Sequence, residues 1–300
     1  MKYVITMTSW TQRIQYVAAS IRKTFDVFSS AMQKNPDYFY LWLAEVEFPN
    51  KEKDLSAELL QVIDTYSIRL RWTKENEYCF KRWHVYPEHF NDTVISVDDD
   101  MTFTPDQIRA GIRYAEQYPN AIIDLAHLYY ANVFNHSMHK ELIHWFEDKP
   151  SFYTNLAGQC IVPPRCFPVE VMGEQLLDLR MKLCNKCDET WLNPFLVRNE
   201  IKVFNAFELN PIQEAYEKDA ALHTTMDINK PGNMFNYRDA QLFVILSELP
   251  ELRQAWLKHF PGYMKTEKAV KDMMEWQSEF PQHTFTVNDF YYIPDYFKSY

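Results

Sequence analysis

A chain of 300 residues with 47% hydrophobic and 24% charged residues can bury a sizeable core, which excludes compositional disorder and fits one large α/β domain or a domain with a helical extension. Its formal net charge of −10 repels phosphate backbones, so nucleic acid is excluded as a main partner. No apolar run approaches the roughly 18 residues that cross a bilayer. The opening MKYVITMTSW reads as a strand rather than a signal peptide, and five cysteines without a secretion signal argue against a disulfide framework, so a cytoplasmic protein is expected.

The apolar run Tyr3–Met7 predicts a buried first strand, followed by a polar turn, Thr8 to Arg13. Ile14, Val17, Ala18, Ile21, Phe25 and Phe28 recur at helical spacing and mark a helix with one face on the sheet. Tyr38–Leu43 predicts the second strand, Leu55 to Tyr66 a second amphipathic helix, Ile68–Trp72 a third strand and Thr93–Val97 a fourth. Pro105 opens a further helix at a first-turn position, with Ile108, Ile112, Ala115 and Tyr118 on one side, and Ala121–Leu128 is strand-like. After an irregular stretch, Gly158–Val162 predicts a strand, Gly173–Leu183 and Thr190–Arg198 helices, and Ile201–Phe204 a short strand. From Arg238 onward the pattern is helical. The alternation argues for a mostly parallel sheet covered by helices on both faces, in residues 1–205, with a mainly helical extension in 206–300 packed on it. Ligands of such sheets bind beyond the carboxyl ends of the strands, which places Thr8–Arg13 and Asp98-Asp99-Asp100 at the mouth of a site.

Three adjacent carboxylates repel one another, and directly after an apolar strand they are costly to gather without a cation. A hard divalent ion with oxygen ligands, Mn²⁺ or Mg²⁺, is the simplest compensator, and it neutralises a diphosphate leaving group. The plainer alternative is an exposed acidic turn.

The stretches VITMTSWTQRI, YLWLAEVEFPNKEKDLSAELL, YCFKRW and VISVDDDMTFTPDQI resemble the N-terminal half of bacterial GT-A-fold glycosyltransferases that build surface polysaccharides, and GQCIVPP and CDETWLNPF resemble their acceptor half. The resemblance implies a nucleotide-diphosphate sugar donor, a glycan or lipid-linked glycan acceptor, and inverting transfer. It implies that Thr8, Ser9, Arg13, Lys81, Asp98 and Asp99 line the nucleotide pocket and that Asp98 and Asp100 hold the metal. Gly158 would allow close backbone approach to a sugar. Glu189 or its neighbour Asp188 would be the general base, with Asp-Glu standing where the pattern usually shows Asp-Asp. Both acids also suit the first turn of a following helix. His223 is a positional candidate for a further metal ligand, against a structural histidine.

Other signals stay open between two readings. Trp191 stacks on a sugar face or fills the core. Cys160, Cys166, Cys184 and Cys187 have poor zinc spacing and read as buried thiols. Lys258, His259, Lys265, Lys268 and Lys271, interleaved with aromatics, form a solvated helical face or a patch for docking at the inner face of the membrane. A nucleotidyltransferase, the alternative enzyme, would carry a Gly-rich phosphate loop near its start, and this chain has five glycines with none before Gly111. A non-catalytic nucleotide- or glycan-binding scaffold is the third reading, and intact acids at both candidate sites weigh against it.

Overall fold

The computed structural model of the chain describes residues 2–125, 150, 159–184, 188–206, 209, 212–213 and 238–259. Strands β1 (Tyr3–Thr8), β2 (Tyr38–Ala44), β3 (Arg69–Thr73) and β4 (Thr93–Asp98) pair in parallel, β1 lying between β2 and β4. Two further strands, β6 (Ala121–Asp124) and β7 (Cys160–Val162), and β8 (Lys202–Asn205) extend the sheet, in the order β3-β2-β1-β4-β7-β6-β8. Only β7 runs against its neighbours β4 and β6, while β6 and β8 are parallel. A separate two-stranded ladder joins β5 (Met101–Thr102) to β9 (Ile212–Gln213).

The period-2 alternation of strand side chains gives the sheet two cores. Ile5, Met7, Leu41, Leu43, Ile95 and Val97 face one side, under α1 (Ile14–Met32), α2 (Ala57–Thr65) and α3 (Pro105–Gln117). Val4, Tyr40, Trp42, Val94, Cys160 and Val162 face the other. That side is covered by α4 (Glu174–Cys184), α5 (Asp188–Arg198), α6 (Arg238–Glu248) and α7 (Pro250–His259). Leu242, Ile245, Leu246, Leu252 and Trp256 bring α6 and α7 into this same core, so these helices share the hydrophobic interior with the sheet. Local chemistry sets the helix starts. Ser56 Oγ accepts the Leu59 N–H at 3.1 Å, and Thr104 and Gln107 close a reciprocal capping box ahead of Pro105.

The expected mostly parallel, helix-flanked α/β sheet is thus the observed one. The predicted strand Ala121–Leu128 spans Ala121–Asp124 in the described residues, and the strand predicted from Gly158 begins at Cys160. α5 begins at Asp188, two residues before the predicted helix, so Asp188 and Glu189 sit inside its first turn. The 3₁₀ segment Tyr78–Val85 was not anticipated, for a physical reason. Phe80, Lys81, Arg82, Trp83 and Val85 are all buried, so the segment lacks the one-sided apolar spacing by which a helix is recognised. Trp191 is wholly buried beside Phe195, its indole N–H directed at the Val171 carbonyl 3.4 Å away, which resolves its two readings in favour of the core. Cys160, Cys166 and Cys184 are buried, and burial alone pushes Cys166 up to about 12; Cys187 lies outside the described residues. Lys258 and His259 face Glu200 at 3.0 and 3.2 Å, while Lys265, Lys268 and Lys271 lie outside the described residues. No helix among the described residues is long and apolar enough to cross a membrane.

Candidate active site

The acidic triplet stands where the parallel strands end. Thr8, the last residue of β1, is in register with both Trp42 and Asp98. β4 ends at Asp98, and the turn that follows sends Asp99 to the other side of the sheet. Asp98 turns toward the 3₁₀ segment, where the Arg82 guanidinium binds its Oδ1 and Gln159 Nε2 donates to its Oδ2 at 2.5 Å. Asp99 turns toward α1. Ser9 Oγ donates to its Oδ2 at 2.5 Å and Arg13 to its Oδ1 at 2.7 Å, while Ser20 Oγ donates to its backbone carbonyl at 2.5 Å. Asp100 binds the second terminal nitrogen of Arg13. The triplet is therefore splayed, and two arginines supply cationic charge that the sequence argument had assigned to a divalent ion.

Electrostatics separates the two buried acids. Burial pushes Asp98 upward, but the charge and hydrogen bond of Arg82, with the bond from Gln159, outweigh it and hold the carboxyl below its usual range. At Asp99 burial wins over Arg13 and Ser9, and the carboxyl lies above its usual range. Burial opposes the charge of Arg82 as well, yet Asp98 and Asp188 more than compensate and keep its proton bound more tightly than usual.

Arg82 also joins the site to α5. Its Nε donates to the Cys79 carbonyl at 3.0 Å and lies 3.9 Å from Asp188 Oδ2. The next residue, Trp83, donates its indole N–H to the same Asp188 oxygen at 2.8 Å. Beneath them Thr6 Oγ1 donates to the Arg82 carbonyl at 3.0 Å, fixing the 3₁₀ segment to β1. The segment is clamped from outside by Glu77, which binds Arg180 of α4 and lies 3.0 Å through both oxygens from His84 Nε2. Residues distant in the chain, Asp98 and the Asp188-Glu189 pair, thus flank one turn of backbone.

Of the residues singled out in the sequence, Ser9, Arg13, Asp99 and Asp100 form one hydrogen-bonded group, while Asp98 bonds Arg82 and Gln159. Asp98 is linked through Arg82 to Asp188, and Glu189 follows in the same turn, 8% exposed. Thr8 donates its hydroxyl to the Trp42 carbonyl at 3.1 Å, within the sheet. Lys81 is buried among Asn76, at 3.0 Å, and Glu47, at 3.6 Å, away from the triplet's direct contacts, and burial lowers its pKa. Gly158 and His223 lie outside the described residues. Sequence reasoning missed Arg82, Gln159 and Ser20. Arg82 and Gln159 adjoin residues it did select, Lys81 and Gly158, and lay within the quoted YCFKRW and GQCIVPP stretches.

Among the described residues no three His, Cys, Asp or Glu side chains are gathered around one point as a ready metal site. The donor chemistry nevertheless fits a hard divalent cation. Asp98, Asp99, Asp100 and Asp188 face two guanidinium groups, so carboxylates outnumber cations, and all the donors are oxygen. Asp98 and Asp100 are its more open members, with side chains 26% and 14% exposed against 4% for Asp99.

No family model matches the chain, and no curated protein matches it. Among solved structures it is similar to S. aureus TarS residues 1–349, at 12% identity over 91% of this chain and 92% of that one, with a TM-score of 0.41. The same protein in complex with UDP gives 12%, with the same coverage and a TM-score of 0.42. In complex with UDP-GlcNAc it gives 10% identity over 89% of this chain and 84% of that one, with a TM-score of 0.44. Likeness at this level carries no weight for the function of this chain.

Proposed function

We propose that this chain is a GT-A-type glycosyltransferase that moves a sugar from a nucleoside-diphosphate donor to a hydroxyl of a glycan or lipid-linked glycan, with inversion, in surface polysaccharide synthesis. The observation that carries the reading is the meeting, at the carboxyl edge of a parallel sheet, of the Asp98–Asp100 group with the Asp188-Glu189 turn through Arg82. The order of motifs along the chain supports the same class.

Asp98 and Asp100 would hold Mn²⁺ or Mg²⁺, which when bound would neutralise charge on the departing diphosphate. Ser9 and Arg13 flank the diphosphate, and Arg13 offers the planar fork suited to phosphate oxygens. Glu189 serves as the base. It takes the proton of the acceptor hydroxyl as that oxygen bonds to the anomeric carbon and the bond from that carbon to the diphosphate oxygen breaks. Asp188 is assigned a positioning role, because one of its oxygens accepts the Trp83 N–H and lies beside Arg82.

Calorimetric titration with UDP, GDP, CDP and ADP, with and without Mn²⁺, followed by release of nucleoside diphosphate from the corresponding nucleotide sugars, tests the proposal. The expected result is Mn²⁺-strengthened binding of one nucleoside diphosphate and turnover of its sugar conjugate. Release of pyrophosphate from a nucleoside triphosphate, or no nucleotide binding, would refute it.

A further inference from the structure

Four carboxylates around two guanidiniums leave the question of which arginine moves when a ligand arrives. Arg82 is anchored three ways: its Nε donates to the Cys79 carbonyl, a terminal nitrogen binds Asp98, and its backbone carbonyl receives Thr6. Arg13 is held differently. Among the described residues its two terminal nitrogens bind Asp99 and Asp100, and its Nε is buried without a hydrogen-bond partner. It stands at the start of α1, on the polar turn after β1, and with Ser9, which donates to Asp99, it joins that turn to the triplet. A half-buried arginine with an unused, buried Nε donor, gripping the very carboxylate assigned to the metal, is an incompletely satisfied group.

On the proposed function, we infer that Arg13 is an exchangeable internal counter-ion: it occupies Asp100 in the free protein, yields that carboxylate to the divalent cation, and turns its guanidinium to the diphosphate. Cation and diphosphate then bind cooperatively, because each supplies what the other's arrival displaces. The metal replaces the positive charge lost by Asp100, and the diphosphate replaces the carboxylate lost by Arg13, which keeps Asp99. Alone, the cation must compete with an arginine–carboxylate pair, a contact equivalent to roughly a 10- to 100-fold change in an equilibrium constant. Arg82 keeps Asp98 and Asp188 in place throughout and takes no part in the exchange.

The test is calorimetric titration of the full chain with Mn²⁺ alone, and with Mn²⁺ in the presence of UDP, GDP, CDP or ADP, for wild type, Arg13→Gln and Arg13→Lys. Wild type is expected to bind Mn²⁺ weakly alone and at least about tenfold more tightly with its nucleotide, and linkage requires the same factor for the nucleotide. Arg13→Gln is expected to bind Mn²⁺ alone about tenfold more tightly than wild type, to bind the nucleotide more weakly, and to lose most of the coupling. Arg13→Lys, which keeps the charge without the fork, falls between them and serves should the glutamine variant not fold. A folded Arg13→Gln or Arg13→Lys whose affinity for Mn²⁺ alone equals or falls below that of wild type overturns the inference. If wild type still shows Mn²⁺-dependent nucleotide binding in that case, the proposed function stands without it. If neither wild type nor variants bind Mn²⁺ or any nucleotide, both fall.

Discussion

Replacing Arg180 with Met tests whether the candidate site depends on a clamp that touches none of its acids. Arg180 in α4 has a side chain 1% exposed, and its partner Glu77, at the entrance to the 3₁₀ segment, is 6% exposed. The guanidinium also lies 4.8 Å from the Phe80 ring centroid and directs a terminal nitrogen at the Val171 carbonyl, 3.4 Å away. Met fills much of the volume but leaves the Glu77 carboxylate buried, with the His84 ring as hydrogen-bond partner and the charge of Lys81 nearby. Breaking one side of a buried pair costs about 3–5 kcal/mol, a large share of the roughly 5–15 kcal/mol by which a folded domain is stable. Urea unfolding of Arg180→Met, Glu77→Gln and the double variant measures this. The double variant is expected to recover most of the loss, because no uncompensated charge remains. Linkage gives a second readout. Burial raises the Glu77 pKa, but the hydrogen bond and charge of His84 and then the charge of Arg180 outweigh it and set the folded value below the ordinary one. That contribution to stability is therefore present above the unfolded carboxylate range and is lost as pH falls through the folded value. Arg180→Met should flatten this acid limb. Additive losses in the double variant, or an unchanged acid limb, would refute the clamp.

Two further outcomes are expected. Glu189→Gln should keep donor binding and lose about 10²–10⁴-fold in transfer rate, whereas Asp188→Asn, which keeps an oxygen for the Trp83 N–H, should slow transfer less and lower the melting temperature more; steady-state rates and thermal melts of both variants check this, and the reverse ranking of rates would move the base to Asp188. Gly111→Val should cost about 1–3 kcal/mol or more in urea unfolding, because even a Cβ at that point of α3 would lie 2.7 Å from Ile161 Cδ1 and 3.2 Å from Leu125 Cδ2; unchanged stability would show that α3 sits less closely on β7 than described.

Much of the architecture was legible from spacing. β1, β2 and β4 each appear as short apolar runs bounded by polar residues, β3 as an apolar–polar alternation, and α1 as a 3.6-residue stripe, because each element buries a regular set of positions. The site's acids were legible for a related reason: three adjacent carboxylates after Val97, and an acidic pair opening α5, are conspicuous against an apolar context. Arg82 was not. It is one cation in a segment buried on nearly every side, and its meaning comes from Asp98 and Asp188, sixteen and 106 positions away. Likewise Trp191 carries the same letter whether it stacks on a sugar or fills a core, and only its complete burial beside Phe195 decides.

The sequence by itself determined most strands and helices, their order and the sheet edge at which the acidic triplet stands, because periodicity and strand ends are local properties written in consecutive residues. Tertiary structure decided how the charges are compensated. The end of β4 and the turn after it send Asp98 and Asp99 to opposite sides, and the cations that meet them arrive from the start of α1 on one side and the 3₁₀ segment on the other. Which carboxylate is held below its usual range and which above follows from those long-range contacts and from burial. Neighbours in the chain share composition but not environment, and electrostatic energy depends on distance and dielectric in space rather than on separation in sequence.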